Sequence, residues 1–135
     1  MLSLTTPIKA RLQALPALTG WAVRTGTEQA DRRIVPVADV RLTGARVPES
    51  DVGVLVSPEW TVTLVVRSSE IAADQLSAAF AAVIESLQNW APGEVAGRRW
   101  DRLRLVRATP PDFVDEGMAG VEIAFSTSAS FDGQP

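Results

Sequence analysis

Any side-chain acid–base or nucleophilic chemistry in this chain must come from carboxylates, hydroxyls, guanidinium groups or the one amine of Lys9, because histidine, cysteine and tyrosine are absent. Without histidine there is no ordinary proton shuttle at neutral pH and no imidazole metal ligand. Without cysteine there is no thiolate nucleophile, structural zinc site or disulfide. A carboxylate-pair hydrolase needs two acids held about 5–9 Å apart in a cleft. Sixteen acids in 135 residues make some such pair inevitable, so none is singled out. The glycines show no phosphate-loop spacing, and Ser126, Ser128 and Ser130 form no nucleophile elbow. The residue types point to binding or assembly, with no catalytic residue, cofactor or metal expected.

Two charged constellations remain. Arg98, Arg99, Arg102, Arg104 and Arg107 crowd one stretch. As one strand, this stretch puts Arg102 and Arg104 on one face with Trp100 and Val106, and Leu103 and Leu105 on the other with Asp101 and Arg107. It could be a phosphate-binding ribbon, a solvated strand that discourages sheet aggregation, or a surface that meets carboxylates of a neighbouring subunit. Asp112, Asp115 and Glu116 follow Pro110-Pro111. Hard cations take oxygen ligands, but the spacing fits no calcium loop. The other readings are an exposed turn and a receptor for arginines of an adjacent copy.

Val54-Leu55-Val56 is an apolar run inside a turn-like connection from Pro48 to Pro58. Such a run either packs on its own domain, as a hairpin, or waits for a partner, as an assembly arm. Trp21, Trp60, Trp90 and Trp100 read as core or interface anchors.

The elements that must position these groups follow from periodicity. Ile8, Leu12 and Leu15 recur at helical spacing, with Thr5 or Thr6 as cap, Pro7 in the first turn and Pro16 as the stop. Short strand 21–24 follows Gly20. Residues 34–47 read as extended, with Pro36 limiting pairing and Gly44 marking a bulge or bend. Trp60, Val62, Leu64 and Val66 alternate with polar partners over 59–68, the strongest strand signal. A helix capped by Ser69 runs to Asn89, with Ile71, Leu76, Phe80, Val83, Ile84 and Leu87 as its apolar stripe. Residues 99–109 and 120–128 complete the pattern as strands. The order α-β-β-β-α-β-β predicts an α+β fold, with a mixed or antiparallel sheet of four to five strands packed on two helices. One domain over 1–135 is expected, with 128–135 as a flexible tail.

The net charge is −3, so no global field draws nucleic acid. No apolar run approaches the ~18 residues of a membrane span, and no basic-then-apolar signal segment follows Met1. The chain is expected in the cytoplasm or in a particle made there.

This layout resembles the tail terminator (tail completion) proteins of long-tailed bacteriophages, including the family found in Mu-like phages with contractile tails. The features that carry the resemblance are the helix Ile8-x-x-x-Leu12-x-x-Leu15-Pro16, the strand Glu59-Trp60-Thr61-Val62-Thr63-Leu64-Val65-Val66, the helix from Leu76 through Leu87 to Trp90, and a final strand ending Phe125-Ser126-Thr127-Ser128. The resemblance implies a hexameric ring that caps the finished tail tube. It stops growth of tube and, where present, sheath, and offers a surface to the head–tail connector. It also implies a place in the virion tail, with assembly in the host cytoplasm, and neither membrane nor specific nucleic-acid binding.

Within that expectation the interface residues are Arg98, Arg99, Arg102 and Arg104, of which Arg102 and Arg104 meet acids such as Asp112, Asp115 or Glu116 across subunits, and Val54, Leu55 and Val56, within an arm over 51–57 that touches the tube or the next copy. The alternatives are a small-ligand-binding α+β domain with a pocket between helix and sheet, and a nucleic-acid-binding module using the arginine-rich strand 98–107.

Overall fold

The computed structural model describes residues 2–25, 35–48, 53–110 and 117–131. A 3-10 turn at Leu2–Leu4 runs directly into helix α1, Thr5–Gln13. The cap position is therefore Leu4, already helical, and neither Thr5 nor Thr6 caps the helix as predicted. Leu4, Ile8 and Leu12 are fully buried, as their spacing requires. Pro16 opens a second 3-10 turn, Pro16–Leu18.

The strands are β1 (Ala22–Thr25), β2 (Val37–Arg46) and β3 (Val54–Arg67) before the long helix α2 (Ala72–Leu87), then β4 (Gly93–Val95), β5 (Arg98–Trp100), β6 (Arg104–Thr109), β7 (Met118–Ser126) and β8 (Ala129–Phe131). The main sheet runs β1-β2-β3-β7-β6, with β8 also paired to β3, and β4-β5 form a separate hairpin. The α+β class holds and the sheet is mixed, because β1 lies parallel to β2 while the other pairs are antiparallel. Six strands in the sheet exceed the predicted four to five. One extra strand comes from the end expected to be loose: Ala129–Phe131 pairs with Val54–Val56.

β3 is the spine. Its inward residues Trp60, Val62, Leu64 and Val66 are buried, and they meet Val40 and Ala38 on β2 and Ile123 and Phe125 on β7. Each fully buried aliphatic side chain contributes about 1.5–3 kcal/mol through removal from water. Pro58 stands where β3 exchanges β8 for β7 as its neighbour. It offers no N–H there, while its carbonyl accepts the Thr127 N–H at 3.3 Å and the Ser126 hydroxyl at 3.2 Å. Gly44 does mark a bulge: Leu42 pairs with Trp60 and Gly44 with Glu59, which leaves Thr43 as the extra residue.

Ala79, Val83 and Leu87 of α2 pack into the same core. The helix starts at Ala72, later than predicted, and the Ser69 hydroxyl accepts the Ile71 N–H at 3.3 Å. It stops before Asn89, which takes φ +63°, a left-handed conformation that asparagine tolerates better than most residues.

Candidate functional site

The arginine stretch is two strands, not the one predicted. Trp100 and Leu103 are both buried in the core, yet residues three apart lie on opposite faces of a regular strand. The ladder therefore breaks between them. The break is sewn down by backbone bonds: Asp101 N–H to the Ser128 carbonyl at 2.9 Å, Leu103 N–H to the Trp90 carbonyl at 2.9 Å, and Asn89 N–H to the Leu103 carbonyl at 2.8 Å. The Thr127 hydroxyl also donates to the Asp101 carbonyl.

This break disperses the guanidinium groups. Arg98 lies 3.6 Å from the Phe131 ring centroid and donates to the Ser130 carbonyl at 2.8 Å, tying β5 to β8. Arg102 donates to the Asn89 carbonyl at 3.1 Å, beside the end of α2. Arg107 reaches over β7 to Glu59. Arg99 and Arg104 are exposed, and their side chains make no hydrogen bond or ion pair with the described residues. A phosphate ribbon needs its cations aligned on one face, whereas here each paired arginine answers a different part of its own chain. Asp112, Asp115 and Glu116 lie outside the described residues. Among the described residues no three acids converge on a metal-sized site.

Glu59 is the site residue that sequence reading missed. Its two carboxylate oxygens accept from the two terminal nitrogens of Arg107, both at 2.7 Å. The Thr43 hydroxyl stands 3.3 Å from Glu59 Oε2 and 3.0 Å from the Thr61 hydroxyl. Hydrogen bonding by Arg107 holds the Glu59 carboxyl below its ordinary value, with the guanidinium charge and Thr43 acting in the same sense and partial burial opposing them. The strands on either side of the β3–β7 pair, β2 and β6, both bulge near this level. Thr43 is the extra residue on β2, and Val106 is extra on β6, between the pairs Leu105–Phe125 and Arg107–Ala124. The Gly44 signal foretold the first bulge. Nothing in the local sequence marks the second.

The apolar run Val54-Leu55-Val56 is the first part of β3, paired with Phe131, Ser130 and Ala129. It is neither a hairpin of its own nor an unpaired arm. One of its edges is paired by β8, while the β2 ladder on the other side ends at Ser57, and its side chains are not covered: Val54 and Leu55 remain exposed and Val56 half-buried. Val47, one residue beyond β2, is 61% exposed. On β2 every residue from Thr43 to Arg46 is exposed, so this end of the β2–β3 pair carries little of the core.

At the other margin, all six residues of β6 are exposed. Leu105 is 39% and Val106 50% exposed, although Leu105 pairs with the buried Phe125. Its N–H is taken by the Gln88 side-chain oxygen at 2.6 Å.

No family model matches the chain, and no curated protein sequence matches it. In fold the chain is similar to a chain of the virion of a native gene transfer agent (GTA) particle, with a TM-score of 0.68, 18% sequence identity and 94% of each chain covered.

Proposed function

We propose that this chain is a structural virion protein that works by docking to copies of itself and to other virion proteins. In its finer form the proposal is a tail terminator: a ring, six copies as the resemblance implies, that caps the tail tube, ends its growth and presents a face to the head connector. The observation that carries the reading is the fold likeness to a chain of the GTA virion, which extends over nearly the whole of both chains. It agrees with the tail-terminator layout, which rests on different grounds.

The surfaces support assembly more than catalysis. With no histidine or cysteine, acid–base or nucleophilic chemistry would fall to carboxylates, hydroxyls and Lys9. The one described carboxylate with a resolved shift, Glu59, is held in its charged form by a bidentate partner, the opposite of a proton donor tuned toward neutrality. The exposed large apolar side chains instead are spread over separate places: Val47, Val54 and Leu55 at one end of the β2–β3 pair, Leu105 and Val106 on the β6 margin, Ile71 just ahead of α2, and Leu2 near the start. Two different surfaces on one chain are what a closed head-to-tail ring uses.

The test is negative-stain imaging of the purified protein, alone and with tail tubes assembled from the tube protein. Rings at tube ends, with no further lengthening when tube protein is added, are expected. Tubes that keep growing in excess of this protein, with bare ends, overturn the terminator reading.

A further inference from the structure

We propose that the β6 margin of one copy receives the start of α2 of a second copy, with Ile71 as the apolar anchor and Glu70 and Asp74 answering Arg104. The inference rests on the assembly reading above and gives its subunit contact named residues.

Three observations select the receiving surface. Leu105, on the strand face it shares with Phe125, and Val106, at the bulge beside it, give an apolar step around the edge of a strand that is exposed along its whole length. Its backbone is already partly closed, since Gln88 holds the Leu105 N–H and Val106 is bulged out of the ladder, so the margin suits side-chain docking better than strand addition. Arg104 stands beside this step with no partner among the described residues, while Arg98, Arg102 and Arg107 are engaged within the chain.

The occupant follows from charge and shape. Ile71 is 59% exposed, and it lies between exposed Glu70 and Asp74. No basic residue occurs anywhere in α2. An apolar knob flanked by acids thus complements an apolar step flanked by a guanidinium. Packing β6 against β6 in a two-fold dimer would instead set Arg104 near its own copy, which like charge disfavours. The two surfaces lie at opposite ends of the sheet. Arg104 is level with Glu59 through Ser126, and Glu70 follows Arg67, eight residues further along β3, about 26 Å at ~3.3 Å per residue. Surfaces so separated cannot meet within one chain, and they generate a head-to-tail contact that a ring can close.

The test measures particle mass of the full chain across a concentration series, alone and on tail tubes, with thermal unfolding as the check on folding. Ile71→Asp and Arg104→Glu are each expected to weaken association by at least about tenfold while leaving the melt unchanged, both positions being exposed. Combining Arg104→Glu with Glu70→Arg and Asp74→Arg should restore it, an outcome that general surface damage cannot produce. Wild-type association by both single variants, or no recovery in the combined variant, overturns this contact and leaves the assembly reading standing. A wild-type chain that stays monomeric at every concentration and ignores tubes overturns the assembly reading itself.

Discussion

Arg107 on the outermost strand grips both carboxylate oxygens of Glu59 on the central strand, across the whole width of β7. Each residue is placed by irregularity in the ladders around it. Val106 shifts the register of β6 just before Arg107, and Thr43 bulges from β2 opposite Glu59. The pair adds a side-chain tie between β6 and β3 to the backbone ladder that already places β6 on β7.

Because the Glu59 carboxyl is held below its ordinary value of 4.5, the unfolded chain binds more protons than the folded one just below that value. The pair's stabilisation is therefore complete above the ordinary value and is lost as pH falls through the lower, folded one. Urea midpoints followed between about pH 3 and 6 should drop on the acid side, and Glu59→Gln should flatten that part of the profile. An identical acid slope in Glu59→Gln would show that other carboxylates carry it.

The turn between β4 and β5 has Ala96 at φ +52° and Gly97 at φ +73°, the two left-handed positions of a tight hairpin. Alanine resists that conformation by roughly 1–2 kcal/mol, and asparagine relieves part of it. Ala96→Asn should stabilise the protein by about 0.5–1 kcal/mol in denaturant unfolding. A loss of stability would contradict the assigned turn.

Leu103 is buried in the core where the arginine stretch breaks. Leu103→Ala should cost about 2–5 kcal/mol of unfolding free energy. Amide exchange should also quicken at Asn89 and at Leu103, whose backbone bonds depend on that anchor.

Arg98 joins β5 to β8 through the Phe131 ring and the Ser130 carbonyl. Arg98→Ala should speed amide exchange in 129–131 while changing global stability by about 1 kcal/mol or less. Leu55→Ser, in the strand that β8 covers, should leave the fold intact and weaken association if this end is an interface. Undiminished ring formation would remove Leu55 from the assembly surface.

Where one periodicity governs a segment, the sequence could be read directly. The alternation from Trp60 to Val66, the α2 stripe from Leu76 to Leu87 and the Gly44 bulge appear in the fold, whereas Ile71, predicted to open that stripe, precedes the helix and is exposed. The arginine stretch misled because its alternation stays formally intact through Leu103, while burial of both Trp100 and Leu103 demands a break that only the tertiary core imposes. β8 was hidden for a related reason. Ser128, Ala129 and Ser130 are all small and carry little strand signal, and pairing with Val54–Val56 comes from a strand more than seventy residues away. The parallel placement of β1 beside β2 likewise has no local signal. Of the candidate interface residues, Arg98 and Arg102 turned inward to their own chain, Arg99 and Arg104 stayed open, and Glu59 emerged only from contacts across three strands.

The most direct test of the central claim is the mass and shape of the purified protein in the presence of tail tubes. Self-docking predicts closed rings of one defined copy number seated on tube ends. A solitary chain that neither associates with itself nor binds tubes at any concentration would contradict it.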